Sequence, residues 1–161
     1  MSGSFRFGLI LLSVIGCGLM GGVFFGFSAF VMKALARLPV PHGIAAMQSI
    51  NVAVINPWFL TPFLGTAAAC VLLVISALRN CHKPGAGYIL AGGLLYLLGT
   101  LLVTIACNVP RNNVLAAVEI GSVKSDALWA QYMTGWMAWN HVRAAAAVAA
   151  AALLTIALTR D

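Results

Sequence analysis

The chain has 161 residues, of which 62% are hydrophobic and 7% are charged. A soluble domain carries about 25% charged and about 45–50% apolar residues, so the composition excludes a soluble globular domain, and it excludes a disordered chain as well. Nine Lys and Arg against three Asp and Glu give a net charge of +6, but the basic residues are scattered rather than clustered, which argues against a nucleic-acid partner and for an integral membrane protein with basic loops.

The charges delimit the spans. Between Arg6 and Lys33 lie 26 uncharged residues, Phe7 to Met32, enough for a first span, since a helix needs about 20 residues to cross the hydrocarbon. This run is too long for a cleaved signal peptide, and no small-residue cleavage site closes it. The next uncharged stretch, Leu38 to Leu78, has 41 residues and exceeds one span. Pro57 divides it, because proline opens helices and restricts the residue before it, and this places span two at 57–78. The piece before it, Gly43 to Ile55, carries Ile44, Met47, Ile50 and Val54 at helical spacing, and reads as a short amphipathic helix on or against the bundle.

Span three is expected over 86–107, with Asn108, Pro110, Asn112 and Asn113 ending it. Span four is less regular. Only 16 residues, Ala144 to Thr159, separate Arg143 from Arg160, and at 1.5 Å per residue that is roughly 24 Å against a core of about 30 Å. The span, placed at 140–159, must draw Arg143 to membrane depth or let it snorkel. Ser125 is the expected N-cap of one long helix from Asp126 to about Leu158. The predicted fold is all-α: one domain, 1–161, forming an antiparallel integral membrane four-helix bundle with a short amphipathic helix before span two and a Trp-rich N-terminal extension on span four.

In this arrangement both termini lie on one side with Arg6, Arg79, Lys83 and Arg160, opposite Lys33, Arg37, Arg111 and Lys124. The higher basic density of the short loop at Arg79 and Lys83 puts the termini in the cytoplasm. Gly18, Gly22 and Gly26 form a small-residue ridge on span one. It matches the alanine-rich surface Ala144 to Ala152 of span four, and Gly92, Gly93 and Gly99 add another on span three, as a tight intramolecular bundle requires. Homo-oligomer contact through Gly18, Gly22 and Gly26 is the rival use of that ridge. Cys17, Cys70, Cys81 and Cys107 show no metal or redox spacing and read as small fillers.

The chemistry-bearing pattern lies on the fourth helix. Trp129, Tyr132, Trp136, Asn140 and Arg143 fall on one stripe, with His141 beside it and Trp139 flanking. One reading is an interfacial aromatic belt with a snorkelling arginine. The other is a pocket wall for a planar, oxygenated ligand. Gln48, Asn51, Asn56, Asn108, Asn112 and Asn113 fall at the same end of the bundle. Capping explains each asparagine singly, and a shared site explains them jointly. His82 reads as a solvated loop residue. His42 could face the side of His141, so a haem or metal at His141 stays open, although no third ligand stands at a typical spacing. No cofactor motif, phosphate loop, nucleophile motif or carboxylate pair is evident. Glu119, Asp126 and Asp161 are too few for a carboxylate-bridged centre or a proton-coupled transporter.

These segments resemble the anthrone oxygenase-like family of small integral membrane proteins, in its bacterial branch. The resemblance rests on Gly22-Val23-Phe24-Phe25-Gly26-Phe27-Ser28 with Val31-Met32 in span one, and on Ala45-Ala46-Met47-Gln48, Ile50-Asn51 and Ile55-Asn56-Pro57 before span two. It continues through Asn108-Val109-Pro110 with Asn112, and Trp129 with Trp139-Asn140-His141-Val142-Arg143. The resemblance implies oxidation of a flat anthrone-like ketone by molecular oxygen, in a bacterial inner membrane. It implies His141 as the base that removes the acidic methylene proton, with Arg143 and Asn140 stabilising the enolate oxygen. Asn56, Asn108 and Asn112 would bind substrate by hydrogen bonds, and Trp129, Tyr132, Trp136 and Trp139 by ring contact. A non-catalytic protein that binds a lipid, a quinone or a partner helix, and a haem- or metal-bearing redox protein, are the alternatives.

Overall fold

The computed structural model describes residues 3–122 and 124–160, and among them there is helix and turn but no strand. Four long apolar helices are α1 (Gly3–Leu35), α3 (Pro57–Arg79), α4 (Ala86–Ala116) and α5 (Ser125–Leu158), each long and apolar enough to cross a membrane. A shorter helix, α2 (Val40–Ala53), joins the first two. The protein is thus an all-α integral membrane protein. In the bundle α1 packs on α3 and α5, and α4 packs on the same two helices, so α1 and α4 are diagonal and consecutive spans run antiparallel.

The ends follow from local chemistry. Asn56 accepts the amide of Phe59 at 3.1 Å on its Oδ1, and Pro57 follows as the first helical residue of α3. This is the favoured N-cap and N1 pairing. Ser125 is not the N-cap that the sequence suggests. It is the first residue of α5, and its hydroxyl donates back to the Ser122 carbonyl at 2.7 Å rather than accepting from an amide of the first turn.

Span three does not stop at Cys107. The chain runs on as helix to Ala116, through π-helical turns at Leu95–Leu102 and Thr104–Asn108. Pro110 lies in the first turn of the α-helical piece that follows, where a missing N–H costs least. The Arg111 guanidinium donates to the Cys107 carbonyl at 2.6 Å, supplying a side-chain partner there. The π turns also set register. Tyr96, Thr100, Thr104 and Asn108 are spaced by four, which on an α-helix drifts about 40° per step. Widening the turn to i→i+5 bonds offsets that drift, and Tyr96, Thr100 and Asn108 are all buried.

The interior has two parts. Towards the termini, Ile10, Cys17, Leu73, Ile89, Ala150, Leu154 and Ala157 form one close-packed cluster. The Gly18/Gly22/Gly26 ridge does not make the α1–α5 contact. Gly18 and Gly22 face outward with no atom near the position of a Cβ, whereas a Cβ on Gly21 would stand 3.0 Å from Val148 Cγ2, and one on Gly16 would collide with Thr66. The inner face of α1 is set by Ser13, Cys17, Met20 and Phe24, all buried, and Gly18 and Gly22 point away from it. Gly92, Gly93 and Gly99 do make close approaches, to Leu154, Val74 and Ala146. Towards the other membrane face, Met32, Leu35, Ile44, Met47, Leu115, Trp129, Tyr132 and Trp136 form the second cluster, with α2 laid across its end.

Candidate functional site

Arg143 is the centre of the second half. It lies on α5, inside a span, with 5% of its surface exposed. Burying a cation without a counter-charge is expensive, and an ionisable group inside a membrane span marks function by default. Among the described residues no carboxylate pairs with it. Neutral groups hold it instead. Asn140, three residues earlier, donates through Nδ2 to the Phe24 carbonyl and to Ser28 Oγ, both at 2.7 Å. These two acceptors fix the amide, so Oδ1 is left to accept Arg143 Nη2 at 2.6 Å. Ser28 sits in a π turn at Phe27–Val31. On the other side Thr104 donates to the Thr100 carbonyl at 2.7 Å and accepts Arg143 Nη1 at 3.3 Å. The guanidinium lies over the Phe24 ring at 4.3 Å and the Trp136 ring at 5.0 Å, and such faces attract a desolvated cation.

Beside this group is a cavity of about 570 Å³, within the 300–1,000 Å³ range of small-molecule sites. Its walls are Phe24, Phe27, Phe63 and Trp136 with aliphatic side chains, and its polar groups are Gln48, Asn51, Thr104, Asn108, Asn112, Asn113 and Arg143. Among the described residues three buried polar atoms have no hydrogen-bond partner, Arg143 Nε, Asn51 Nδ2 and Asn108 Oδ1, and all three residues line this cavity. Native proteins leave few such atoms, and each calls for a reason. The Asn108 amide cannot simply be turned round, because its Nδ2 donates to the Trp136 carbonyl at 3.2 Å. These side chains put two unused donors and one unused acceptor at the wall of an apolar, aromatic box, each of the three atoms being itself covered in the structure. Its chemical complement is a flat apolar body with a carbonyl or anionic oxygen and a neighbouring hydroxyl.

The tryptophan and tyrosine stripe divides its labour. Trp129, Tyr132 and Trp136 are buried and stack on one another at 5.7 and 6.3 Å between centroids, so they do not face lipid as an interfacial belt, and Arg143 does not snorkel. Tyr132 Oη and Trp136 Nε1 both donate to Asn112 Oδ1 at 2.9 Å. Only Trp136 of the three reaches the cavity wall. Trp129 instead fills the space above Gly43, where an added Cβ would stand 3.0 Å from its ring.

Other expected site residues lie elsewhere. His141 is exposed: two residues from Arg143 is about 200° round a helix, so adjacency in sequence places it on the opposite face. Trp139 is 36% exposed on the outer surface. Asn56 spends both polar ends locally, donating to the Ala53 carbonyl at 2.7 Å while capping α3, and it does not line the cavity. His42 and His82 are exposed, and among the described residues no three His, Cys, Asp or Glu side chains come together. The sequence reading missed Thr104 and Phe24 as partners of Arg143. Thr100 and Thr104, four apart in an otherwise apolar span, were the available signal. A larger groove of 740 Å³, lined by Arg111, Gln131, Tyr132 and Gly135 among others, holds none of the unpartnered atoms.

The fold and the site together define an integral membrane four-helix bundle with a cationic, aromatic-walled cavity in its interior. The chain belongs to the anthrone oxygenase family, whose sequence profile matches residues 57–153. That stretch runs from the start of α3 well into α5, and it includes Asn108, Asn112, Asn140 and Arg143. No curated protein and no solved structure matches the chain.

Proposed function

We propose that the protein is a membrane oxygenase that takes a planar, lipophilic, anthrone-like ketone and molecular oxygen, and works without a cofactor. The observation that carries this reading is the unpartnered Arg143 Nε, buried beside the cavity. An anthrone has an acidic methylene opposite its carbonyl. Loss of that proton gives an enolate with its charge on the carbonyl oxygen, and the enolate reacts with oxygen directly. Oxygen adds at the methylene carbon to form a hydroperoxide, which loses water to give the quinone. The balance is one ketone and one O2 to one quinone and one water.

Arg143 and Asn51 supply donors to the developing oxyanion, and fixed donors in a dry site are the strongest tool for this. Asn140 and Thr104 hold the guanidinium so that Nε is the free edge. Asn108 Oδ1 accepts a hydroxyl next to the ketone, and Trp136, Phe24 and Phe63 contact the rings. Among the described residues no histidine or carboxylate lines the cavity, so His141 has no part in this scheme. The site favours the anion, with each unit of lowered substrate pKa worth about 1.4 kcal/mol, and the proton leaves through the polar aqueous end of the cavity, which Gln48, Asn51 and Asn113 line. The same reading puts the protein in a bacterial inner membrane with its termini in the cytoplasm, which the basic loop at Arg79 and Lys83 supports.

The test is oxygen uptake by the purified protein in lipid vesicles supplied with anthrone. The parent should consume one O2 per anthrone and yield anthraquinone. Arg143→Met should lose on the order of 10²–10³ in turnover, as removal of an oxyanion donor does. Equal rates for the two proteins would overturn the reading, and a haem band in the visible spectrum would replace it with a redox protein.

A further inference from the structure

The cavity runs from an aqueous end, where the exposed Val52 and Asn113 line it, to a side that faces lipid. On the aqueous side α2 lies across it: Met47 is 1% exposed, and Gln48 Nε2 donates to the Leu115 carbonyl at 2.9 Å, tying α2 to the end of α4. On the lipid side the wall is split. α3 packs on α4 through Ala86–Leu102 but has no comparable contact with Thr104–Ala116. The cavity lining there includes residues that are also on the outer surface: Ile105 is 57%, Leu64 50% and Val109 41% exposed.

The depth of this opening decides its character. Trp58, 91% exposed at the start of α3, marks the interfacial level, where tryptophan prefers to sit. Leu64 is six residues further along, roughly 9 Å deeper at 1.5 Å per residue. The interfacial zone on each side of the hydrocarbon is only about 5–7 Å thick. Leu64 and Ile105 therefore rim a slot that opens among acyl chains. Exposing aliphatic side chains costs nothing there, since lipid tails are as apolar as leucine.

We infer that the ligand of this cavity is loaded sideways from the hydrocarbon, through the slot between α3 and α4 rimmed by Leu64 and Ile105, rather than past α2 from the aqueous end. The molecule that passes is neutral and dissolved in the bilayer. It meets charge only inside, at Arg143, so water-soluble and permanently ionised compounds are refused at the rim rather than at the arginine.

Trp136, at the inner end of the slot, reports on which solvent reaches the cavity. Trp58→Phe and Trp139→Phe together remove the two exposed tryptophans and leave Trp136 with the buried Trp129. In this background, vesicles of phosphatidylcholine brominated on its acyl chains should quench Trp136 fluorescence, and aqueous iodide should not. Adding Leu64→Phe and Ile105→Phe should lower the bromine quenching to the level of a protein that also carries Trp136→Phe, with iodide quenching unchanged. Gln48→Ala, which releases α2, should leave the bromine quenching as it was. Quenching by iodide but not by bromine would overturn the inference, as would bromine quenching that the two phenylalanines leave unaltered. If the filled variant fails to fold, bromine against iodide in the unfilled protein decides alone. The measurement uses neither anthrone nor turnover, so it stands or falls separately from the oxygenase reading.

Discussion

The two halves of the bundle solve opposite problems with the same helices. The half near the termini is close-packed. Cys17, Leu73, Ala147, Ala150, Leu154 and Ala157 have no exposed surface, and glycines on α4 let α3 and α5 approach. With no hydrophobic force between helices in lipid, such packing is what holds spans together. The other half leaves a cavity of about 570 Å³ and, among the described residues, three buried polar atoms without partners. It gives up packing and desolvates a cation that neutral hydrogen-bond partners and two aromatic rings hold without a counter-charge. A region that is costly in this way, held by a region that is not, is the arrangement expected when stability and function are separated along one set of helices.

Substitutions can break or sharpen that contrast. The largest effect is expected from Arg143→Met. Besides the loss of turnover given above, the variant should melt in detergent close to the parent's temperature, because removing the desolvation cost of a buried cation offsets the loss of a partner for Asn140 Oδ1. A large fall in melting temperature would show Arg143 to be structural.

Next comes Asn112→Leu. It strands the Tyr132 hydroxyl and the Trp136 indole N–H, each at about 1–3 kcal/mol when a buried donor loses its partner. It should lower both stability and activity, because Trp136 is shared between the stack and the cavity wall. In the packed half, Gly93→Leu places a Cβ 2.7 Å from Val74 Cγ2 and 3.4 Å from the Cys70 carbonyl. A cost of about 1–3 kcal/mol is expected from overpacking, read by thermal melting, with ligand affinity per folded molecule unchanged. The smallest effect should be that of His141→Ala, within about 0.5 kcal/mol in stability and with oxygen uptake equal to the parent's. A strong loss of activity there would return the imidazole to the mechanism and count against the cavity as the reacting site.

Much of this was legible in residue order. Twelve charges in 161 residues located the four spans. Ile44 and Met47 identified the face of α2 that is buried. The spacing of Trp129, Tyr132, Trp136, Asn140 and Arg143 put them on one inward stripe. Periodicity reads which residues share a face of one helix, and those readings rest on a single helix each.

What the sequence determined by itself was therefore the class of the protein, the presence of four helices long and apolar enough to span a membrane, and the family likeness that the profile match establishes. The tertiary structure decided three other things. It turned Gly18 and Gly22 outward and gave the α1–α5 contact to Gly21, because the inner face of α1 is chosen by what α3 and α5 present to it. It carried α4 on past Pro110, because π turns and the Arg111 side chain accommodate the proline. Finally, it separated His141 from Arg143 and brought Phe24, Thr104 and Asn108 to the arginine from other helices. Residues two apart in sequence lie on opposite faces of a helix, and the partners of a buried charge are supplied by whichever helices pack against it.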